Sequence, residues 1–200
     1  MEETNLWLIE QSCFARGVRL VCGADEAGAG PLAGPVYAAA VILPPYLDIP
    51  GLDDSKKLTM RQRETLYPII CKNAVAYAVS WAEVEEIDRI NILNARLLAM
   101  NRAIHMLPLK PNLALIDGNR NTGIDLPSLT IVGGDGKSAS IAAASILAKV
   151  SRDRYMERMD QVYPGYEFGR HKGYPTRRHY ELLREYGPCP LHRRSFLKNL

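Results

Sequence analysis

Three short apolar segments of the chain end in acidic residues, and this pattern restricts the possible folds more than any other feature. The segments are residues 18–24 before Asp25 and Glu26, residues 113–116 before Asp117, and residues 129–132, which two glycines separate from Asp135. Short apolar runs bounded by turn residues are typical of buried strands. Because functional sites gather at the carboxyl ends of strands in α/β sheets, we expect the four acids to meet at one edge of a sheet.

The rest of the sequence supplies further strands and helices in an order that defines the sheet. Residues 36–43 and 74–82 are strand candidates, and the predicted helices are 59–72 with a Thr59–Gln62 capping box, 91–107 with Asn91 as cap, 138–163, and one from Thr176 that stops before Gly187. Three strands joined mainly by loops precede strand–helix alternation. This order predicts an α/β fold with a five-stranded mixed sheet, antiparallel first and then parallel, flanked by helices.

Composition excludes several classes of protein. No apolar run approaches the roughly 20 residues that span a membrane, so we expect no membrane association, and the acidic segment 1–5 is unlike a secretory signal. The four cysteines are far apart in the sequence and include no C-x-x-C pair; they are Cys13, Cys22, Cys71 and Cys189. A disulfide framework or a structural zinc site is therefore not expected, and a reducing, cytoplasmic location fits best.

The C-terminal quarter is basic, whereas the rest of the chain is nearly neutral. Residues 151–200 contain eleven Lys or Arg against six Asp or Glu, together with three of the four histidines. A basic segment on a neutral body can bind a polyanion such as nucleic acid. A solvated basic helix explains the charge equally well. Charge alone therefore does not distinguish a nucleic-acid-binding segment from a solvated helix.

The four acids suit one chemistry in particular. Carboxylates at the edge of an apolar sheet repel one another and lose hydration, and a divalent cation compensates both costs. Oxygen ligands favour Mg²⁺ or Mn²⁺ over zinc, and paired metal ions suit phosphodiester hydrolysis. Each acid has another explanation, since Asp-Glu pairs are common on surfaces, Asp117 precedes turn-forming residues and Asp135 could cap a helix. Their shared position after strands favours a metal-dependent nuclease.

The glycine-rich segment 133–138 suggests phosphate binding, but it does not fit a P-loop. That motif requires Gly five positions before Gly136, where this chain has Ile131. No Gly-x-Ser-x-Gly elbow is present in the sequence either. A nucleotide triphosphatase is therefore disfavoured.

Several motifs resemble those of the ribonuclease HII family, in the family's order. They are residues 24–36 (ADEAGAGPLAGPV), 54–58 (DSKKL), 116–119 (IDGN), 143–150 (AASILAKV) with Arg152 and Asp153, 171–176 (HKGYPT) and 192–196 (HRRSF). The resemblance extends from about residue 18 to residue 196. Several blocks of this length in one order do not arise by chance.

The resemblance implies a ribonuclease H-like fold, with residues 1–200 as a single catalytic domain and a small, basic, helical C-terminal part at about 164–200. It implies a monomeric endonuclease, dependent on Mg²⁺ or Mn²⁺, that cleaves the RNA strand of RNA–DNA hybrids and also cuts at ribonucleotides embedded in duplex DNA. Its products would carry 5′-phosphate and 3′-hydroxyl ends. By position, the four acids match the family's catalytic, metal-binding carboxylates, which are Asp25, Glu26, Asp117 and Asp135.

A substrate-binding surface follows from the resemblance together with side-chain chemistry. Tyr174 matches a tyrosine that stacks at the ribonucleotide, and Gly28 and Gly30 match the outer residues of a Gly-Arg-Gly loop whose backbone reads the RNA-to-DNA junction. The further predicted contacts are Lys56, Lys57, His171, Lys172, Arg193 and Arg194. The chain departs from the family at the middle loop residue, Ala29, which keeps the backbone N–H but lacks a guanidinium for charge-assisted contacts. The role of Asp153 stays open.

Two other kinds of function are also compatible with parts of this sequence. A metal-dependent nuclease of the same broad fold that acts on DNA would keep the four acids. A non-catalytic nucleic-acid-binding module would be expected to lose at least one of them. Tyr174 and the glycine loop favour a substrate that contains RNA, and the presence of all four acids favours catalysis.

Overall fold

A computed structural model describes residues 5–197 as a sheet covered by helices on both faces. The strands are β1 (Val21–Ala27), β2 (Val36–Ile42), β3 (Ala76–Ala82), β4 (Leu113–Asp117) and β5 (Ser128–Ile131). The helices are α1 (Leu8–Ala15), α2 (Met60–Asn73), α3 (Val84–His105), α4 (Ala139–Val162), α5 (Phe168–His171) and α6 (Arg177–Tyr186). Residues 1–4, on which the prediction about a secretory signal rests, and residues 198–200 of the predicted C-terminal part lie outside the described residues.

The sheet has the predicted mixed topology. Its strand order is β3-β2-β1-β4-β5. Strand β2 pairs antiparallel with both β1 and β3, whereas β1 pairs parallel with β4 and β4 with β5. The antiparallel half is therefore a meander, and the parallel half requires crossovers through α3 and the loop after β4.

Each face of the sheet is apolar because the central strands are buried on both sides. In β2, Ala38 and Ala40 face the cluster that contains α3, whereas Ala39 and Val41 face the cluster that contains α2 and α4. This alternation follows from the two-residue period of a strand. Small side chains on both faces let the helices lie close to the sheet.

Gly23 in β1 marks the closest approach between the sheet and α4. A Cβ at this position would overlap backbone atoms of Ser140 and Ile141. Glycine within a strand commonly marks such a close approach of another backbone. The alanine-rich first half of α4 is buried against β1 and β2 for the same reason.

Local signals located most helix starts correctly. Thr59 caps α2 through a complete capping box, Ser138 caps α4 and Thr176 caps α6. Asn91 caps a helical segment as predicted, because its Oδ1 accepts a hydrogen bond from Asn94 N at 3.1 Å. That segment is the second part of α3, which begins earlier at Val84 and kinks at Asn91, where φ is 64°.

Helices α1 and α5 were not predicted. Neither has a side-chain cap, and they contain only eight and four residues, so they lack the start signals that sequence reasoning uses. Helices α5 and α6 form the predicted small C-terminal extension, and Tyr166, Phe168 and Leu191 make its core. Among the described residues, no helix combines the length and the apolar character needed to cross a membrane.

Candidate active site

Three neighbouring strands bring the four predicted acids to one edge of the sheet. Asp25 and Glu26 lie in the last part of β1, inside the strand rather than after it as predicted. The register pairs Ala24 with Ile116, so Asp117 follows at the same level of β4. Asp135 lies in a 3-10 turn, Gly134–Gly136, after β5. Asp117 Oδ1 accepts a hydrogen bond from Gly134 N at 2.7 Å, which joins the ends of β4 and β5.

Burial and mutual repulsion define the electrostatics of these acids. Burial, followed by the charges of Glu26 and Asp117, raises the pKa of Asp25 well above its usual value, and the Asp25 side chain is almost inaccessible. Burial likewise raises the pKa values of Glu26 and Asp117. Negative charge at this edge is therefore costly unless a cation compensates it.

Two basic side chains supply part of that compensation. Lys56 Nζ contacts Asp135 Oδ2 at 2.7 Å, and Arg96 Nη1 contacts Glu26 Oε1 at 3.1 Å. Although burial opposes the change, the hydrogen bond from Lys56 lowers the pKa of Asp135. The same pair raises the pKa of Lys56, again against the effect of burial.

The donor atoms at this edge fit a hard divalent cation. They are carboxylate oxygens, which such ions prefer. Glu26 Oε2 is buried and has no hydrogen-bond partner among the described residues, and an unpartnered buried carboxylate oxygen is costly. As the side chains stand, no group of three His, Cys, Asp or Glu within residues 5–197 is arranged to hold a metal ion. The four acids are thus neighbours, but their side chains are not arranged as a complete set of metal ligands.

A cleft of about 400 Å³ lies above three of these acids. Several of the predicted site residues line it, and four residues that were not predicted line it as well. The predicted ones are Asp25, Glu26, Gly28, Ala29, Gly30, Lys56, Asp117 and Tyr174, and the others are Ala27, Ser55, Arg63 and Lys149. The cleft therefore joins the acids to the predicted substrate-binding loop and to basic side chains.

Asp153 connects the two unpredicted basic residues. Its carboxylate is buried and accepts a hydrogen bond from Lys149 Nζ at 2.7 Å, while Arg63 Nη2 lies 3.9 Å from its other oxygen. Lys149 Nζ also lies 5.6 Å from the ring centroid of Tyr174. Because Lys149 and Arg63 come from α4 and α2, no local motif links them. The spacing of Lys149 and Asp153 by four residues on a helix was the one available signal.

Arg193 lies beneath the glycine loop and not on the surface. Its side chain is fully buried and donates hydrogen bonds to four carbonyl oxygens, those of Gly28, Ala29, Pro31 and Gly34, at 2.6–3.1 Å. Burial lowers its pKa to about 9, so the guanidinium is still charged at neutral pH. The prediction of a direct phosphate contact does not match this position.

Arg152 supports the same region from α4. Its fully buried guanidinium donates to the carbonyl oxygens of Ala33, Pro35 and Lys172 at 3.0–3.1 Å. Gly28 has a φ of 97°, and a Cβ there would overlap the Arg152 side chain. Arg152 and Arg193, which lie far from this loop in the sequence, therefore hold the loop after β1.

Tyr174 projects at the edge of the cleft from a short loop between α5 and α6. Its side chain is 38% exposed, whereas its backbone is held firmly. Tyr174 N donates to His171 O, and Tyr174 O accepts from Thr176 N and is 2.9 Å from His179 Nδ1. The ring is thus free for contact while the main chain is fixed.

The other predicted contacts lie in differing surroundings. Lys57 is exposed, pairs with Asp53 at 3.0 Å, and lines a different cavity together with Gly136. His171 is buried, and both of its ring nitrogens contact backbone groups. Lys172 pairs with Glu157 at 2.7 Å. Arg194 is exposed on the far side of Arg193, and its backbone N–H donates to Asp88. None of these four residues is among those that line the cleft, and His171 is enclosed by protein.

Comparisons with known proteins agree on one family. The model of the family described as Ribonuclease HII matches residues 22–199. Ribonuclease HII of Caldicellulosiruptor saccharolyticus is 50% identical over 198 residues, which cover 99% of this chain and 97% of the relative. Ribonuclease HII of Caldicellulosiruptor bescii is 50% identical over 199 residues, with coverage of 100% and 97%.

Solved structures agree with the sequence relatives. Ribonuclease H2 from Pyrococcus horikoshii superimposes with a TM-score of 0.71 at 29% identity, covering 88% of this chain and 93% of that one. A structure of a PCNA complex with ribonuclease HII from Archaeoglobus fulgidus has a TM-score of 0.73 at 28% identity, with coverage of 88% and 94%. These similarities confirm the predicted ribonuclease H-like fold.

Proposed function

The chain belongs to the ribonuclease HII family, and from that membership we propose which residues of this endonuclease perform its reaction. It hydrolyses the RNA strand of RNA–DNA hybrids and depends on a divalent metal ion, as its family does. Our proposal concerns the metal, the residues and the form of the substrate. The observation that carries it is a cleft lined by three of the carboxylates, the glycine loop and the tyrosine, with the fourth carboxylate, Asp135, paired to the cleft residue Lys56.

The four acids, Asp25, Glu26, Asp117 and Asp135, are the metal ligands in this proposal, and the metal is Mg²⁺ or Mn²⁺. The oxygen donors of all four, and the pKa values that burial raises at Asp25, Glu26 and Asp117, support a hard, doubly charged cation. When bound, such ions supply an activated water and neutralise charge on the departing oxygen. Lys56 already neutralises Asp135, so we expect it to move towards substrate phosphate when another cation takes over that role.

Recognition of the ribose follows from the direction of the peptide groups in the glycine loop. Arg193 holds the carbonyl oxygens of Gly28 and Ala29. In a trans peptide the C=O and N–H point in opposite directions, and this chain has no cis peptide among its described residues. The N–H groups of Ala29 and Gly30 therefore face away from Arg193 and can donate to a 2′-hydroxyl in the cleft.

Two side-chain types complete the substrate contacts. The half-exposed ring of Tyr174 can stack on the sugar or base at the cleavage position. The basic side chains of Lys56, Arg63 and Lys149 line the same cleft, where they can hold the phosphates on each side. Asp153 orients the last two of these, which is the role that we assign to it.

We propose that the chain is a single catalytic domain with a C-terminal part from about residue 164, and that it acts as a monomer. Its four cysteines form no disulfide, which supports a cytoplasmic location. None of these proposals is needed for the chemistry of the cleft.

The test is cleavage of matched duplexes by the purified protein with Mg²⁺ or Mn²⁺. One duplex is an RNA–DNA hybrid, one is DNA with a single ribonucleotide, and one is DNA alone. We expect the first two to be cut, the second beside its ribonucleotide, with 5′-phosphate and 3′-hydroxyl ends. The all-DNA duplex should remain intact because it offers no 2′-hydroxyl to the loop.

Substitutions test which residues perform the reaction, whereas the duplexes test which substrate is cut. Asp25→Asn removes a metal ligand and should abolish cleavage of every substrate. Asp125→Asn, at an exposed position that pairs with His105 before β5 begins, is the matched control and should cleave normally. Equal cutting of the ribonucleotide duplex and the all-DNA duplex would instead support a DNA-directed nuclease of the same fold.

A further inference from the structure

Three histidines form a buried cluster beneath the Tyr174 loop. His171 and His179 stack with ring centroids 4.2 Å apart, and His179 Nε2 lies 3.0 Å from His192 Nε2. All three side chains are buried. Only His171 was among the residues predicted for the site, and its expected partner was phosphate. The cluster has no part in the proposed chemistry described above.

The hydrogen bonds around the cluster allow only one arrangement of protons. Cys189 N donates to His192 Nδ1 at 3.0 Å, so His192 carries its proton on Nε2 when neutral. That proton is donated to His179 Nε2, which therefore accepts. His179 then carries its own proton on Nδ1 and donates it to the carbonyl oxygen of Tyr174 at 2.9 Å.

The hydrogen bonds of His171, the third histidine, define its tautomer as well. Gly173 N donates to His171 Nδ1 at 3.1 Å, so the proton on Nε2 is donated to the carbonyl oxygen of Tyr166 at 2.7 Å. The bonds to Gly173 and Tyr174 thus hold two successive residues of the loop. Arg152 holds the carbonyl of Lys172 just before them.

We propose that His192 and His179 are positioning residues, which hold Tyr174 at the cleft through a relay of hydrogen bonds between neutral rings. The proposal rests on the substrate role of Tyr174 given above. It adds a pathway from the HRRSF segment to the cleft: His192 fixes the tautomer of His179, and His179 fixes the main chain of Tyr174. Neither ring contacts substrate, so neither is a catalytic residue.

The relay requires that both rings stay neutral. A second proton on His179 would face the Nε2–H of His192, and a second proton on His192 would face the backbone N–H of Cys189, in each case across 3.0 Å. The titratable groups that face the two rings are His171 from α5, Tyr166 before it and Cys189 after α6. Burial, the largest cause, lowers the pKa of both His179 and His192 to about 4, which keeps the rings neutral near neutral pH.

The tautomers can be read directly from the wild-type protein. Long-range ¹H–¹⁵N correlation spectra distinguish a proton on Nδ1 from one on Nε2. We expect Nδ1–H for His179 and Nε2–H for both His171 and His192. A proton on Nε2 of His179 would overturn the relay, and this measurement needs no variant that must fold.

A double-mutant cycle tests whether the relay acts through Tyr174. The variants are His192→Phe and Tyr174→Ala, alone and together, assayed for kcat/KM on the single-ribonucleotide duplex. We expect His192→Phe to lower kcat/KM about tenfold, the effect of losing one buried hydrogen bond. The same change in the Tyr174→Ala background should cost less than about twofold, because the group to be positioned is gone.

Other variants exclude a general loss of structure. His192→Gln keeps an N–H that can reach His179 and should recover most of the activity. His105→Phe, at an exposed position of α3, is the matched control and should behave as the wild type. Equal losses from His192→Phe in both backgrounds would refute positioning and leave only a structural role. Normal cleavage by Tyr174→Ala would instead refute the proposed role of Tyr174, whatever the tautomers are.

Discussion

Asp25 is the residue at which function and stability conflict most directly. Its carboxylate is buried beside Glu26 and Asp117, and burial together with their charges raises its pKa. A carboxylate in such a place stabilises the folded chain only when a cation is present. In metal-free solution its negative charge is a cost of folding.

Asp25→Asn should therefore make the metal-free protein more stable while it abolishes cleavage. Glu26 N donates to Asp25 Oδ1 at 2.7 Å, and the amide oxygen of asparagine can accept that bond. We expect a gain of about 1–2 kcal/mol, or roughly 2–8 °C in Tm for a chain of this size. Thermal unfolding in EDTA measures the change. A lower Tm than that of the wild type would contradict this account of the site.

Ala29 is the position at which this chain departs from the family's loop. The variant Ala29→Arg adds a guanidinium at the rim of the cleft without altering the N–H groups. We expect a lower Kd for the hybrid duplex and a salt dependence that is steeper by about one phosphate contact. Ala29→Gln, which adds length without charge, is the control. Affinity and salt slope that stay unchanged in Ala29→Arg would show that position 29 does not face the substrate.

The sequence predicted the acids better than the basic residues around them. Acids that follow apolar strands have a local signature, and all four lie together at one edge of the sheet. Arg193 and Arg152 have none, because a buried arginine and an exposed one look alike in sequence. Their location depends on backbone carbonyls more than 110 residues away. Lys149 and Arg63 were overlooked for the same reason.

At the scale of elements, α4 and β1 determine where the acids can lie. The contact at Gly23 leaves no room for a side chain, and Asp25 is two residues further along the same strand. Any displacement of α4 from β1 is therefore transmitted to the edge of the sheet. Close packing of this kind has little capacity to adjust.

Gly23→Ala should destabilise the protein by about 1–3 kcal/mol, because the added methyl group meets backbone atoms that cannot turn aside. Denaturant-induced unfolding measures the loss. Gly165→Ala is the matched control, since a Cβ there meets only the Tyr186 ring at an ordinary distance of 3.4 Å. Comparable stability of the two variants would mean that β1 and α4 are less closely packed than described.

Sheet topology and most helix starts could be predicted because each has a local cause. Thr59, Ser138 and Thr176 accept hydrogen bonds from the first turns that they cap. Helix α1 has no such cap, and the first part of α3 lies in a charged run, Glu83 to Asp88, whose capping position, Glu83, is not a usual cap residue. Tertiary contacts explain that part: Glu86 pairs with Arg102, and Asp88 accepts bonds from Arg194 and Ser195.

At the scale of the whole molecule, the buried histidines make stability depend on pH. The pKa of His179 and of His192 falls from about 6.5 to about 4 on folding, chiefly through burial. Between these values the unfolded chain binds more protons than the folded one. Their contribution to stability is therefore complete above about pH 6.5 and is lost as the pH falls towards 4.

Thermal unfolding across this range should show that loss as a falling Tm. Asp25, Glu26 and Asp117, whose pKa values burial raises, act in the opposite direction and stabilise the folded state as the pH falls. The comparison that isolates the histidines is the wild type against His192→Phe in EDTA. We expect the Tm of the variant to fall less steeply between about pH 6.5 and pH 4. Parallel curves would contradict the lowered pKa of His192.

The support of the glycine loop by Arg193 has a consequence for the order in which the enzyme becomes active during synthesis. The acids of β1 emerge early, whereas the arginine that turns the loop carbonyls inward is more than 150 residues behind them. A nascent chain that ends before residue 193 has these acids but lacks the side chain that binds four carbonyl oxygens of the loop. The part of the chain that would distinguish ribose from deoxyribose therefore depends on a residue translated more than 150 positions after the first acids.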